Sequence, residues 1–279
     1  MLDPSPTRLL DARGLLIPLG NRTLIMGIIN VTPDSFFPGS QFPAAKAATD
    51  AALQQVAQGA DILDFGGEST RPGHTPVSED EELARVIPVI QAITAQTAAP
   101  VSIDTYKARV AEAGLKAGAH IVNDVWGLSR EPEIANVAAA HNAAVVVMHN
   151  RETIDGSLDV IEEFKRFFGI AIERAKRAGI RDDQIVLDPG IGFGKSFEQN
   201  LAAIGRLGEL VRFGFPVLLG VSRKSFIGKL FPSEPAERLP ATIAANAIGV
   251  MAGAAIVRVH DVAEHAQALR ITDRIKEEQ

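Results

Sequence analysis

The sequence predicts an α/β protein whose single domain is a (β/α)8 TIM barrel, and three observations lead there. Short, near-continuous apolar runs alternate with longer Ala-rich, charged stretches along almost the whole chain. That alternation specifies a parallel sheet covered by helices. Eight such strand–helix units fit within the 279 residues, as a closed parallel barrel requires. A weak repeat also recurs: Gly59-Ala60-Asp61-Ile62-Leu63-Asp64, Gly118-Ala119-His120-Ile121-Val122-Asn123 and Gly253-Ala254-Ala255-Ile256-Val257-Arg258. In each copy Gly ends a helix, Ala permits close packing, two aliphatic residues fill a strand and a polar residue closes it. A doubly wound open sheet uses the same alternation and is the structural alternative.

The elements follow in order. Residues 1–23 read as an N-terminal extension packing on the barrel, and 24–279 as the barrel itself. The first strand, 24–29, runs into Asn30-Val31-Thr32-Pro33-Asp34-Ser35-Phe36. A periodic helix at 44–58 leads to the second strand, 62–65, and a patch from Asp64 through Gly66-Gly67 and Thr70-Arg71 to Gly73. A helix at 79–96 precedes strand 101–103, which ends in Asp104-Thr105; a helix at 107–116 precedes strand 121–123, which ends in Asn123-Asp124. Strand 144–148 ends in Met148-His149-Asn150, and the amphipathic stretch 159–177 is its outer helix. Strand 185–187 enters Asp188-Pro189-Gly190-Ile191-Gly192-Phe193-Gly194-Lys195. Strand 217–220 enters Val221-Ser222-Arg223-Lys224-Ser225, and strand 255–259 carries Arg258 and ends at His260-Asp261. Residues 239–257 hold no charge, yet contain Pro240, Asn246 and two glycines, so they read as a buried helix running into a strand, not a membrane span.

Composition narrows the function. With 46% hydrophobic and 22% charged residues the chain can bury a large core, which argues against disorder. The 28 basic and 34 acidic side chains leave a net charge of −6, which argues against a nucleic-acid partner or a membrane surface. Zero cysteines exclude disulfides, thiolate metal sites and a Cys nucleophile, and fit a cytoplasmic protein. The opening MLDPSPTRLLDARG lacks a signal-peptide pattern. His74, His120, His141, His149, His260 and His265 are too scattered for zinc-ligand spacing. No Gly-x-Ser-x-Gly elbow is present, and Tyr106 and Trp126 alone make no stacking platform for single strands.

In a parallel barrel the strands' C-terminal ends form one mouth, where chemistry gathers. Acids (Asp64, Asp104, Asp188), amides (Asn30, Asn123) and cations (Arg71, Lys224, Arg258) would meet there. Such a pocket suits a polar heterocycle beside an anion: carboxylate and amide groups read an N–H-rich ring edge, while arginine and histidine hold phosphate. Gly190-x-Gly192-x-Gly194-Lys195 lacks phosphate-loop spacing and reads as a tight mouth loop. Gly66-Gly67 with Arg71 reads either as an anion-gripping loop or as a surface turn.

These strand ends spell a resemblance. MGIINVTPDSF (26–36), DFGGESTRPG (64–73), SIDTYK (102–107), IVNDVWG (121–127), VVMHN (146–150), LDPGIGFGK (187–195), GVSRKSFIG (220–228) and RVHDV (258–262) together resemble the dihydropteroate synthases of folate biosynthesis, over nearly the whole chain. The resemblance implies a (β/α)8 barrel, usually a homodimer. It also implies condensation of 6-hydroxymethyl-7,8-dihydropterin diphosphate with 4-aminobenzoate to 7,8-dihydropteroate and diphosphate, a reaction inhibited by sulfonamides. By the same resemblance Asp104, Asn123, Asp188 and Lys224 bind the pterin, with Met148 beneath the ring and Arg258 packed against it. Asn30 coordinates Mg²⁺ on the diphosphate, which Arg71, Arg258 and His260 grip. Thr70, Phe193 and Ser225 match the aminobenzoate region, with Arg223 close by; Asp64 is a further pocket carboxylate. The implied catalysis is SN1-like, with Asp104, Asp188, Lys224 and Arg71 carrying it. The chain departs from many members after Phe36, where Phe37-Pro38-Gly39-Ser40 lacks an acidic residue. A pterin-dependent methyltransferase domain and a non-catalytic pterin-binding paralogue are the functional alternatives.

Overall fold

The computed structural model describes residues 8–32, 41–69 and 75–278. Its strands are β1 (Arg8–Ala12), β2 (Leu15–Leu19), β3 (Leu24–Asn30), β4 (Ile62–Gly66), β5 (Val101–Asp104), β6 (Ile121–Asp124), β7 (Ala144–Met148), β8 (Ile185–Asp188), β9 (Leu218–Leu219) and β10 (Ile256–Val259). Strands β3 to β10 form one parallel sheet in the order β8-β7-β6-β5-β4-β3-β10-β9. Leu187 and Val217 form a parallel bridge, and the Leu187 N–H donates to the Pro216 carbonyl at 2.9 Å. These contacts join β8 to the β9 end and close the ring, so the open sheet is excluded.

The strands are apolar on both sides because neither side meets water. Side chains alternate with period two. Ile25, Leu63, Phe65, Ile103, Val122, Val145, Leu187 and Val257 point outward into one buried cluster with the helices. Met26, Ile62, Ile121, Val146, Val186, Leu218 and Ile256 point inward and form a second cluster. Leu10, Ala12, Ile17 and Leu19 of the antiparallel β1–β2 hairpin complete that second cluster. The hairpin turns through Arg13 (φ 61°) and Gly14 (φ 83°), the doubly left-handed geometry that matches strand twist. Arg13 Nη1 donates to the carbonyls of Leu115 (2.7 Å) and Ala119 (2.6 Å), tying the turn to the barrel's lower rim.

The helices are α1 (Gln41–Gln58), α2 (Glu79–Thr94), α3 (Ala108–Lys116), α4 (Glu133–Ala140), α5 (Val160–Ala178), α6 (Phe197–Gly205), α7 (Leu207–Val211), α8 (Ser225–Leu230), α9 (Leu239–Met251) and α10 (Val262–Glu277). Local chemistry sets several ends: Ser78 and Asp159 accept backbone N–H bonds at the starts of α2 and α5, and Ser196 and Gln199 cap α6 reciprocally. In the three repeat copies Gly59, Gly118 and Gly253 have φ of 106°, 114° and 107°, a region closed to most side chains. The uncharged 239–257 segment divides into α9 and β10, and among the described residues no helix is long and apolar enough to cross a membrane. Several strands end one residue beyond the predicted boundary, because the polar residue at the end still belongs to the ladder. β9 is shorter than the predicted 217–220.

Candidate active site

The same alternation, carried one step further, assembles the site. On β4 Ile62 points inward, Leu63 outward and Asp64 inward again; Asp104, Asn123, Met148, Asp188 and Arg258 follow by the same rule on β5, β6, β7, β8 and β10. Ladder register places Asp104 opposite Asn123 and Met148 opposite Asp188. The barrel interior thus changes from aliphatic to polar within one layer.

Asp64 is wholly buried. Its Oδ2 accepts from Arg258 Nε at 2.6 Å and from Asn123 Nδ2 at 3.1 Å. Arg258 Nη2 donates to Asp104 Oδ2 at 2.5 Å. Asp64 therefore orients two neighbours, and by taking the Asn123 amino group it turns that side chain's carbonyl away from itself. Among the described residues the Oδ1 atoms of Asp64 and Asp104 are buried with no hydrogen-bond partner. Buried acceptors left open cost stability and suit an incoming donor.

Across the pocket, Asp188 Oδ1 accepts the Gly190 N–H at 2.7 Å. A β-carbon on Gly220 would lie 3.8 Å from Asp188 Oδ2, 3.8 Å from Lys224 Nζ and 3.9 Å from Arg258 Cβ, so these three side chains converge on one point. Lys224 Nζ also donates to the Ile191 carbonyl and stands 4.6 Å from the Phe193 ring centroid. Met148 packs with Tyr106 and Val125, flanked by Trp126 and Phe193, giving the pocket an apolar wall. The β8 loop that carries Phe193 is tight: Gly190 has φ 63°, and a β-carbon there would fall 1.9 Å from the His149 carbonyl oxygen.

Burial shapes the electrostatics. It raises the Asp104 carboxyl above its ordinary pKa against the pull of Arg258, with Asp64 adding to the rise. It raises Asp188 likewise, against Lys224. It lowers Lys224 to about 8 despite Asp188. Burial also opposes the charge of Arg258, but Asp64 and Asp104 outweigh it and hold the guanidinium above its ordinary value.

Asp64, Asp104, Asn123, Asp188, Met148, Lys224 and Arg258 therefore line one pocket, with Phe193 at its edge. Asn30 ends β3, half-buried, opposite Gly66. Ser225 is the exposed first residue of α8. Arg223 lies close by with φ 57°, and its guanidinium forms a bidentate pair with Asp261. His260 is held by Ser222, 2.9 Å from its Nδ1. Thr70 and Arg71 lie outside the described residues, as do Asp34, Phe37 and Pro38 of the first mouth loop.

Two clusters escaped the sequence reading. Buried Lys107 donates to Glu68 Oε2 (2.5 Å), Glu82 Oε2 (2.7 Å) and the Val77 carbonyl (2.7 Å), while Tyr106 OH donates to Glu68 Oε1 (2.8 Å). Lys195 is buried beneath the β8 loop, its Nζ 2.7 Å from His149 Nδ1 and donating to the Gly190 (2.8 Å) and Phe193 (3.1 Å) carbonyls. Burial lowers the pKa of both His149, to about 2, and Lys195. The lysine after the three glycines thus secures the loop from within. The signal available in sequence was a charged residue beside each mouth patch, with partners far away along the chain.

The pattern of the family described as Pterin binding enzyme matches residues 26–260. The dihydropteroate synthase of Clostridium beijerinckii is 47% identical over 258 residues, 92% of this chain and 96% of that protein. The solved structure of Xanthomonas albilineans dihydropteroate synthase with 4-aminobenzoic acid superposes with a TM-score of 0.92 at 42% identity, covering 97% of this chain and 98% of the other. The same enzyme in complex with 7,8-dihydropteroate gives 0.87 at 40% identity, covering 96% and 98%. With its sequence pattern and its barrel both in agreement, the chain belongs to the dihydropteroate synthase family of pterin-binding enzymes.

Proposed function

We propose that this chain condenses 6-hydroxymethyl-7,8-dihydropterin diphosphate with 4-aminobenzoate to give 7,8-dihydropteroate and diphosphate. The observation that carries the reading is the convergence of Asp104, Asn123, Asp188, Lys224 and Arg258 in one inward layer, with two carboxylate oxygens left open. A bicyclic ring with an N–H-rich edge supplies the donors those oxygens lack, and Lys224 and the Asn123 carbonyl complete a donor–acceptor pattern.

The chemistry is alkyl transfer. The bond between the pterin methylene and the diphosphate oxygen breaks, its electron pair leaving with diphosphate. The aminobenzoate nitrogen then bonds to the methylene and sheds a proton. The arylamine is a modest nucleophile, so departure of the anion is the hard step, and we propose an SN1-like course. Positive charge then spreads into the ring, where Asp104 and Asp188 face it, an electrostatic effect aimed at the transition state. Arg258, His260 and Arg71 hold the departing anion. Thr70, Phe193 and Ser225 receive aminobenzoate, and Arg223 lines its approach.

Mg²⁺ fits the donor set at Asn30. That ion takes few protein oxygens and keeps waters and phosphate oxygens around it, and one amide oxygen at a strand end is such a ligand. Among the described residues no three His, Asp or Glu side chains are grouped to hold a metal. When bound, the ion neutralises charge on the leaving diphosphate.

Initial rates of diphosphate release test the reading, with each substrate omitted in turn and with Mg²⁺ chelated. Release should need both substrates and Mg²⁺, and a sulfonamide should compete with aminobenzoate. Release at an unaltered rate without aminobenzoate overturns it. We also propose a cytoplasmic homodimer. The absence of cysteine supports the compartment, and exposed Ile248 of α9 with Ile271 and Ile275 of α10 supports the pairing, which sedimentation equilibrium checks.

A further inference from the structure

We infer that Ser222 is a positioning residue: it holds the His260 imidazole in the tautomer whose proton sits on Nε2, so that this nitrogen serves the mouth as a hydrogen-bond donor. Ser222 lies just beyond β9 and is buried, 6% exposed. Its Oγ stands 2.9 Å from His260 Nδ1 and also accepts the His260 backbone N–H at 3.2 Å.

Hydrogen accounting decides the direction of the first contact. A serine hydroxyl has one hydrogen to give. Among the described residues no acceptor for it other than Nδ1 bonds Oγ. If Nδ1 carried the proton, Oγ would accept twice and its own hydrogen would be stranded in a buried place, a costly arrangement. With Oγ–H donating to Nδ1, the serine hydrogen is satisfied and a neutral ring carries its proton on Nε2. In histidine the bond made by one ring nitrogen fixes the state of the other.

Ring and backbone of residue 260 are thus fastened to one oxygen. Strand alternation places His260 on the side of Arg258, which faces the pocket. A fixed Nε2–H beside that guanidinium suits an anionic oxygen acceptor. The inference rests on the reading above that His260 meets the diphosphate, and it adds how the ring is made ready before the ligand arrives.

Two measurements on the full chain test it. Long-range ¹H–¹⁵N spectra of the native protein, with His260 assigned through His260→Gln, should show a protonated Nε2 and a bare Nδ1; a protonated Nδ1 in the neutral ring overturns the assignment, with no variant at position 222 needed. Calorimetric titration with inorganic diphosphate should show Ser222→Ala weakened about tenfold and Ser222→Thr, which keeps the hydroxyl, restored. Titration with 6-hydroxymethylpterin, which lacks the diphosphate, should not distinguish the three proteins. Equal diphosphate affinity of native and Ser222→Ala proteins overturns the positioning role. If His260→Ala itself leaves diphosphate affinity intact, the anion-gripping part of the proposed function falls, and with it the purpose assigned to the tautomer, while the spectrum still decides what Ser222 does to the ring.

Discussion

The lower and upper layers of the barrel interior are built on the same strands, two residues apart, and they differ in kind. Ile62 gives way to Asp64, Ile121 to Asn123, Val186 to Asp188 and Ile256 to Arg258. Below, aliphatic side chains, with buried Ser102 beside them, close around the β1–β2 hairpin. Above, three carboxylates face two cations, and two buried oxygens have no partner. Packing alone favours the lower solution, since it leaves open a neutral hydroxyl, on Ser102, where the upper layer leaves open two carboxylate oxygens. The upper layer therefore opposes stability on its own and makes sense as a site. Affinity and stability should come apart when each layer is altered.

The largest effect is expected at the hinge of the polar layer. Arg258→Met leaves Asp64 and Asp104 buried side by side without their shared cation. Removing one member of a buried pair costs about 3–5 kcal/mol. Urea unfolding should show that loss, and a loss below ~1 kcal/mol would mean that water already screens the pair. In the lower layer, Leu10→Ala empties a fully buried position on the hairpin and should cost about 2–5 kcal/mol. Calorimetry on that variant should still find pterin diphosphate bound within about twofold of native, because the sites are separate and their effects add. A parallel loss of affinity would merge the two layers into one.

The smallest and most selective effect concerns pH. Burial lowers Lys224 to about 8. In the proposed function its ammonium form is the donor, so kcat/KM for pterin diphosphate should be flat with respect to this group below that pH and fall above it. Lys224→Arg keeps the charge and should remove the alkaline limb from the measured range. A limb that persists in the variant assigns it to another group.

The fold was legible because strands buried on both sides must be apolar nearly throughout, and eight such runs alternating with helical stretches leave few architectures. The pocket was legible because period two, counted from an aliphatic inward residue, lands on Asp64, Asn123, Asp188 and Arg258, and counted from Ser102 on Asp104. The partners of those residues were not. That Asp64 serves Arg258 and Asn123, that Lys107 joins Glu68 to Glu82, and that Arg223 is engaged by Asp261 all depend on contacts between segments distant along the chain. The hairpin before the barrel was hidden for a related reason: Leu10 and Ile17 become core only once a barrel bottom exists to receive them. Gly190 to Lys195 was legible as a tight mouth loop, but that the loop folds over Lys195 and is held by it from within was not.

Calorimetric titration of pterin diphosphate into Asp188→Ala isolates the polar layer's purpose. Loss of this carboxylate strands donors of the bound ring, so affinity should weaken by about 1–3 kcal/mol. The unfolding midpoint should move little, because removing a carboxyl whose ionisation burial disfavours is offset by leaving Lys224 without its facing charge and the Gly190 N–H without its acceptor. An unchanged affinity together with a lowered midpoint would show that Asp188 supports the barrel rather than a ligand, and would contradict the site.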